Sequence, residues 1–285
     1  MLHTVMKKVL KKTLKKKFFL NKKEIKTNKK VKSYLGGTFH KLATKSNKYK
    51  KGGSNELSEQ LVYLLHNPAR WDIDINKVKN LLKNGADPNY MYTHNYRTLA
   101  RESSVTPIML VINNIKLNID KKLELLKILF ENNANPNTII KFKYVGYTPL
   151  NWIIGYCSKN YTKNDILRLM KIFLDNKNTD INKKDHFGDT PITLASERDL
   201  DYVKLLLDYG VNINLTNGEG QTPLHVASTE GPLEIIEFLL ENNANRNIKD
   251  NNNLTAYEAA VEMGNTRAIE VFDNFDRVRM EASDE

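Results

Sequence analysis

The chain repeats one short phrase at regular intervals, and this repetition limits its possible folds more than any other feature. Thr-Pro followed by Ile or Leu begins at Thr106, Thr148, Thr190 and Thr222, with a fainter copy at Thr255. The spacing is 32 residues from Thr190 to Thr222 and 33 from Thr222 to Thr255. A second phrase closes the units at Asn89, Asn137, Asn182, Asn214 and Asn247. A period near 33 residues predicts a stack of similar structural layers.

The most regular unit predicts two helices. The Thr222 hydroxyl can accept a hydrogen bond from an amide of the first turn, and Pro223 already has a helical φ. We expect Gly231 to end this short helix in a left-handed turn. Residues 233–240 form a second helix that is apolar on more than one side, so neighbours must bury it on both flanks. Asn243 then suits a left-handed turn, because Asn tolerates that conformation better than most residues.

Residues 220–228 read Gly-Gln-Thr-Pro-Leu-His-Val-Ala-Ser, and residues 188–196 read Gly-Asp-Thr-Pro-Ile-Thr-Leu-Ala-Ser, with Thr193 at the position of His225. This wording resembles the ankyrin repeat family over about residues 54–280. The resemblance implies an all-α ankyrin-repeat solenoid of stacked helix pairs, with β-hairpin fingers between the pairs. The Lys- and Asn-rich composition is similar to that of ankyrin repeat proteins common in intracellular bacteria and large DNA viruses, which often meet host proteins.

The charge divides the chain into two parts. Residues 1–53 contain 18 Lys, no Arg and a single acid, Glu24, which gives +17. The whole chain carries +11, so residues 54–285 carry −6. We expect residues 1–53 to be a Lys-rich extension, partly an amphipathic helix and partly disordered. Residues 54–280 would be the ankyrin repeat domain, with units at about 55–89, 104–137, 146–182, 188–214, 220–247 and 253–280.

The Lys-rich extension has several possible roles. Its densest cluster is Lys11, Lys12, Lys15, Lys16 and Lys17. Such a cluster can act as a nuclear import signal, bind nucleic-acid phosphates without sequence preference, bind anionic lipid, or simply be solvated. The absence of Arg argues against sequence-specific recognition of bases, because the Arg guanidinium is better shaped than Lys for paired hydrogen bonds to a base. These alternatives stay open.

The spacing also locates insertions. The distance from a closing Asn to the next opening Thr is 8 residues in three units but 17 from Asn89 to Thr106. The longer finger carries Tyr90, Tyr92, His94, Tyr96 and Arg97. It either reaches a partner or is neutral loop growth, which repeat arrays tolerate. The Thr106 and Thr148 units are also long, and we expect their surplus between the two helices, near residues 115–120 and 158–164.

No catalytic or metal-binding arrangement is visible in the sequence. The six His are scattered singly, and none has a Cys or acidic neighbour at the spacing of metal ligands. We expect His225 to make structural hydrogen bonds and Cys157 to be a buried thiol. The sequence therefore predicts a protein that is not an enzyme and needs no metal or cofactor.

The expected location is a reducing intracellular compartment, with the nucleus or a host cytoplasm as candidates. A single cysteine excludes an intramolecular disulfide framework. No apolar run reaches 18 residues, and lysines interrupt the N-terminal apolar stretch that a secretory signal would need.

The resemblance implies a binding face made of hairpin tips and the exposed side of each first helix. Matching positions are Tyr144, Tyr147, Tyr156, His186, Phe187, Asp189, Glu197, Arg198, Glu219, Gln221, Thr229 and Glu230. The aromatic positions suit an interface hot spot, and the acids favour basic residues on the partner. We therefore expect a monomeric module that binds another protein; alternatively, the aromatic rings only pack between hairpins. The alternative function is that of an adaptor, in which the basic extension tethers the chain to nucleic acid or an anionic membrane.

Overall fold

The computed structural model describes residues 54–66, 73–95, 102–142 and 145–283, and these are mostly helical. The helices are α1 Ser54–His66, α2 Ile75–Lys83, α3 Pro107–Asn113, α4 Ile119–Glu131, α5 Pro149–Tyr156, α6 Lys163–Leu174, α7 Pro191–Ser196, α8 Leu200–Asp208, α9 Pro223–Glu230, α10 Leu233–Glu241, α11 Ala256–Met263 and α12 Thr266–Ser283. Two antiparallel hairpins pair β1 Tyr92–Asn95 with β2 Glu102–Val105, and β3 Ile140–Phe142 with β4 Val145–Tyr147. The predicted helix pairs are therefore present, and the predicted β-hairpins are found in two connections between units, whereas the connections over 183–190, 215–222 and 248–255 form turns without a strand. We call each of these connections a finger.

The repeated Thr begins the first helix of a pair, as predicted. The Thr222 hydroxyl accepts a hydrogen bond from the amide of His225 at 3.4 Å, and Thr148, Thr190 and Thr255 cap their helices in the same way. Thr106 is the exception, because its buried hydroxyl makes no hydrogen bond within the described structure. A missing cap of this kind removes about 1 kcal/mol of stability.

Two predictions about turns have different outcomes. Asn243 has a φ of 60°, so the predicted left-handed turn is confirmed. The prediction for Gly231 is wrong, since its φ is −94° and its backbone is extended. Glycine is needed there for space: a Cβ would meet the carbonyl oxygen of Ser196 in the preceding unit and lie 2.8 Å from the Cα of Ala227.

The core lies where the second helices face their neighbours. Each of these helices buries large apolar side chains completely: Leu125 and Leu129 in α4, Leu169 and Phe173 in α6, Val203 and Leu206 in α8, and Ile235 and Leu239 in α10. Burying one such side chain contributes about 1.5 to 3 kcal/mol. Because each unit buries its apolar surface against the next, the stack orients all first helices and fingers alike.

The closing Asn residues join neighbouring units. The Asn137 side chain accepts a hydrogen bond from the amide of Asp180 at 2.8 Å and donates one to the carbonyl of Asn178 at 2.7 Å. Asn89 and Asn214 accept the equivalent amides of their own next units at 2.6 and 2.8 Å. The sequence pattern indicated only that these Asn residues close each unit. The structure shows that their side chains form hydrogen bonds to the next unit.

The surplus length of the Thr106 and Thr148 units lies only partly between their helices. Helices α4 and α6 have 13 and 12 residues, whereas α8 and α10 have 9 each. Asp120 and Asn164, which we expected in loops, lie inside α4 and α6. The correction has a physical reason, since an added helical turn extends the buried apolar face while added loop does not.

Lys122 in α4 is buried, with 1% of its surface exposed. Its ammonium donates hydrogen bonds to the carbonyls of Val111 at 3.0 Å, Ile112 at 3.2 Å and Asn114. Terminal carbonyls of a helix lack partners within the helix, so Lys122 caps the C-terminal end of α3. Burial lowers the pKa of Lys122 to about 7. Nothing in the sequence pattern indicated this role.

Candidate functional site

In the fingers that begin at Asp185 and Asn217, one polar side chain fixes the tip. The Asp185 carboxylate accepts hydrogen bonds from the amides of Phe187 at 2.9 Å and Asp189 at 3.0 Å. In the next finger, Asn217 accepts the amides of Glu219 and Gln221 at 2.9 and 3.0 Å. Burial raises the pKa of the Asp185 carboxyl above its ordinary value. These turns place Phe187 and Glu219 at equivalent positions on successive tips.

Neighbouring fingers are bonded to one another. The amide of His186 donates to the carbonyl of Gly146 at 2.9 Å, and the amide of Asn251 donates to the carbonyl of Glu219 at 3.0 Å. At these two contacts the fingers are joined through their backbones, and the amide and carbonyl groups involved already have partners.

First helices hold the fingers in place through buried side chains. Asn151 donates to the carbonyl of Asp189 at 2.8 Å. His225 forms a hydrogen bond with the carbonyl of Leu254 at 3.0 Å through Nε2, so Nε2 carries the proton. Its Nδ1 then accepts from the Thr222 hydroxyl at 2.7 Å. The expected structural role of His225 is confirmed.

Four aromatic rings meet where one finger and its helix adjoin the next finger. We call Tyr147, Trp152, Tyr156 and Phe187 the aromatic patch. Trp152 and Tyr156 are stacked at 21° with centroids 5.1 Å apart, and Tyr147 packs edge-on against both. The Phe187 centroid lies 6.1 Å from that of Tyr147. The Trp152 indole donates to the Asn113 side chain at 2.9 Å, which fixes the stack to α3, the first helix of the preceding unit.

The members of the aromatic patch differ in exposure. Phe187 is 45% exposed at its finger tip, and Trp152 and Tyr156 are half-buried. Tyr147 is only 5% exposed, so its expected direct contact with a partner is corrected. Its ring lies beneath the other three, because residues from two fingers and one helix converge on it. Tyr147 supports the patch, and Phe187 presents its surface.

Beyond the aromatic patch the same surface becomes acidic. Glu219 and Glu230 are exposed, and Glu197 is half-buried with a carboxylate oxygen 3.8 Å from the Arg198 guanidinium. Glu262 is also exposed and occupies in its unit the position that Glu197 has two units earlier. We call Glu197, Glu219, Glu230 and Glu262 the acidic stripe. Sequence reasoning missed Glu262, although its distance from Thr255 could have identified it.

The remaining predicted positions have mixed environments. His186 is exposed, and Asp189 and Gln221 are half-buried. The Thr229 hydroxyl donates to the carbonyl of its own helix at His225, 3.1 Å away. Tyr92 begins β1 and packs half-buried against the core. Tyr96, Tyr144 and the extension's Lys11, Lys12, Lys15, Lys16 and Lys17 lie outside the described residues.

The described residues contain no group of three or more His, Cys, Asp or Glu that could hold a metal ion. Cys157 is buried, and burial raises the pKa of its thiol to about 12, so the thiolate needed for nucleophilic attack is scarce at neutral pH. Among the helices described, none has the length and apolar character needed to cross a membrane.

Comparison with known proteins gives a consistent result. A family model described as ankyrin repeats (3 copies) matches residues 154–250 and 219–272. An ankyrin repeat protein of Rickettsia bellii is 34% identical over 82 residues, which is 28% of this chain and 45% of that protein. An ankyrin repeat protein of fowlpox virus is 32% identical over 129 residues, covering 45% of this chain and 16% of the viral protein.

Two further proteins extend the comparison. A probable 26S proteasome regulatory subunit, p28, of Saccharomyces cerevisiae is 28% identical over 141 residues, covering 48% of this chain and 59% of that protein. The chain thus spans less than two thirds of the length of these relatives. The crystal structure of EF0377, an ankyrin repeat protein, superposes with a TM-score of 0.52 at 23% identity and covers 79% of this chain and 98% of that one. The repeated phrases, helix pairs and fingers agree with these matches, which identify ankyrin repeats within residues 154–272 of this chain.

Proposed function

We propose that this chain is a non-enzymatic module that binds another protein through one surface, here called the ladder face. The ladder face comprises the finger tips with Phe187 and Glu219 and the exposed sides of the first helices with Trp152, Tyr156 and Glu230. The observation that carries the proposal is the aromatic patch, which exposes Phe187 beside a stacked Trp–Tyr pair. Aromatic residues held in this way are enriched among residues that dominate binding energy.

Rigidity supports the same proposal. The Asp185 carboxylate fixes the Phe187 tip, and the Asn113 amide fixes the Trp152 indole. Side chains that are ordered before binding lose less conformational entropy when a partner docks. A partner that docks on the aromatic patch therefore loses little binding free energy to the ordering of these side chains.

The partner's chemistry follows from the surface. We infer that it offers an apolar or aromatic anchor with basic residues beside it, because the acidic stripe adjoins the aromatic patch. Ankyrin repeats are generally protein-interaction modules, and the name of the yeast relative describes a subunit of a larger assembly. The similarity to proteins of Rickettsia bellii and fowlpox virus supports a host protein as the partner.

Affinity capture with the full chain tests this function. The chain and its Phe187→Ala and Tyr156→Ala variants would each be immobilised in cell extract, with retained proteins identified by mass spectrometry. At hot-spot values of about 2 kcal/mol, each substitution should weaken binding about 30-fold. Proteins retained by the unaltered chain should therefore be lost from both variants.

The matched control is Glu234→Ala, which alters an exposed residue on the second helix α10, away from the ladder face. It should retain the same proteins as the unaltered chain. Melting curves would show that every variant is folded at the capture temperature. If folded Phe187→Ala and Tyr156→Ala variants retain the same proteins as the control, the ladder face is not the binding surface.

A second candidate function rests on the uneven charge. Residues 1–53 carry +17 beside a body of −6, which favours an adaptor whose extension binds nucleic acid or anionic lipid while the repeats hold a client. Fusing residues 1–53 to a fluorescent protein tests this alternative. Nuclear or membrane fluorescence supports it, and diffuse fluorescence contradicts it.

A further inference from the structure

The ladder face changes character in one direction along the stack. The aromatic patch lies at the α5 unit, and exposed carboxylates follow at Glu219, Glu230 and Glu262 in later units. A cation, Arg198, also lies on this part of the surface, with its guanidinium 3.8 Å from a carboxylate oxygen of Glu197. A partner that crosses several units thus meets an apolar site first and then carboxylates.

Strand addition is a poor mode of binding for this surface. Finger amides at Phe187, Asp189 and Glu219 already donate to Asp185 or Asn217 side chains. Other finger amides donate to carbonyls of the neighbouring finger. A partner strand needs a row of available backbone groups. Recognition must therefore come through side chains, and the partner's backbone must remain solvated.

The unit spacing restricts the partner's conformation. Packed helices lie about 8 to 10 Å apart, so equivalent positions recur at about that interval. A polyproline II segment advances about 9.3 Å in three residues, makes one full turn, and leaves its backbone solvated. Seven residues of an α-helix advance about 10.5 Å, which accumulates a mismatch over successive units. A flat strand reverses its side-chain direction after three residues.

Building on the proposed function, we propose that the ladder face binds a polyproline II segment of its partner. That segment places an aromatic anchor on the aromatic patch and a Lys or Arg at every third residue over the acidic stripe. The charges of the stripe and the segment are complementary, and one polyproline II turn of about 9.3 Å falls within the spacing of about 8 to 10 Å between units.

Fluorescence polarisation with labelled peptides and the full chain tests this inference. The first peptide is Trp-Pro-Ser-Lys-Pro-Ser-Lys-Pro-Ser-Lys, made also in reversed order so that both directions are sampled. The second has the same composition with its three Lys consecutive at the end away from Trp. The third replaces Trp by Ala, and the fourth is a helical peptide with Trp and Lys every seven residues.

The spaced peptide, in its better direction, should bind at least about tenfold more tightly than the consecutive-Lys and Trp-to-Ala peptides. Its affinity should fall as salt is raised from 0.05 to 0.5 M, because exposed charges are screened. Equal binding of the spaced and consecutive peptides, or tighter binding of the helical peptide, would overturn the inference.

Matched protein variants locate the contact. Glu219→Gln combined with Glu230→Gln should weaken the spaced peptide about three- to tenfold and abolish the preference for spacing. Glu234→Gln combined with Glu237→Gln makes the same charge change on the second helix α10, where both residues are exposed, and should have no effect. Equal effects of the two double variants would contradict a specific contact.

The peptide and capture experiments fail in different ways. If no peptide binds while Phe187→Ala still loses captured proteins, the polyproline II inference is wrong and the protein-binding function stands. If Phe187→Ala and the Glu234→Ala control capture the same proteins, the proposed function itself fails.

Discussion

At the scale of single residues, Lys122 shows how burial can make a surface-type side chain structural. Its ammonium donates to three carbonyls at the end of α3, and the Tyr161 ring centroid lies 5.1 Å from Nζ. The Cys157 thiol is close enough to interact electrostatically with it. Burial lowers the pKa of Lys122 to about 7, whereas an unfolded lysine keeps its ordinary value near 10.5.

The sign of the pH dependence follows from this difference. Between pH 7 and about 10.5 the unfolded chain binds more protons at Lys122 than the folded chain, so raising the pH stabilises the fold. We expect the free energy of unfolding to rise by about 1 to 2 kcal/mol from pH 7 to pH 9, relative to a Lys122→Met variant. Urea denaturation at both pH values measures this difference.

Lys127→Met is the matched control, because Lys127 is exposed on the same helix. It should keep the pH dependence of the unaltered chain. The account of Lys122 is contradicted if Lys122→Met and Lys127→Met show the same change in stability between pH 7 and pH 9.

Residue roles that depend on near neighbours in sequence could be predicted, and those that depend on packing could not. The Thr222 cap and the Asn243 turn involve residues within a few positions, so the local pattern was sufficient. Tyr147 is buried by rings from a helix and from the next finger, and Lys122 by the end of another helix. Their environments exist only after the units stack.

At the scale of elements, Gly231 illustrates how two units constrain one connection. The sequence suggested a left-handed turn, but the structure shows an extended glycine against the carbonyl of Ser196. Helices α4 and α6 are long for a related reason. The repeat spacing shows that their units contain extra residues, but it cannot show whether those residues extend a helix or a loop.

Alanine substitution of two glycines distinguishes a glycine that is needed for space between two units from one that is needed for a left-handed turn. Gly231→Ala should lower the free energy of unfolding by about 1 to 3 kcal/mol, since its methyl group has no space between two units. Gly210→Ala should lower it by about 1 kcal/mol, because Gly210 has a φ of 78° but open space around it. Denaturant unfolding of both variants gives the comparison. A larger loss for Gly210→Ala would support the left-handed turn over the close approach.

At the scale of the whole molecule, the repeats build one surface from many local choices. The period near 33 residues predicted stacked layers, and the resemblance to ankyrin repeats implied helix pairs with fingers; the structure and the matched family model confirm that architecture. The resemblance also implied which positions share a face. Neither could predict that Tyr147 lies under Phe187, because this depends on how successive fingers and helices pack.

The most direct test of the ladder face is the dissociation constant of one captured partner, measured by calorimetry. The full chain would be compared with Phe187→Ala and with Glu234→Ala, all verified as folded. The account predicts that Phe187→Ala weakens binding by about 30-fold and that Glu234→Ala leaves it unchanged. Equal dissociation constants for the unaltered chain and Phe187→Ala would contradict it.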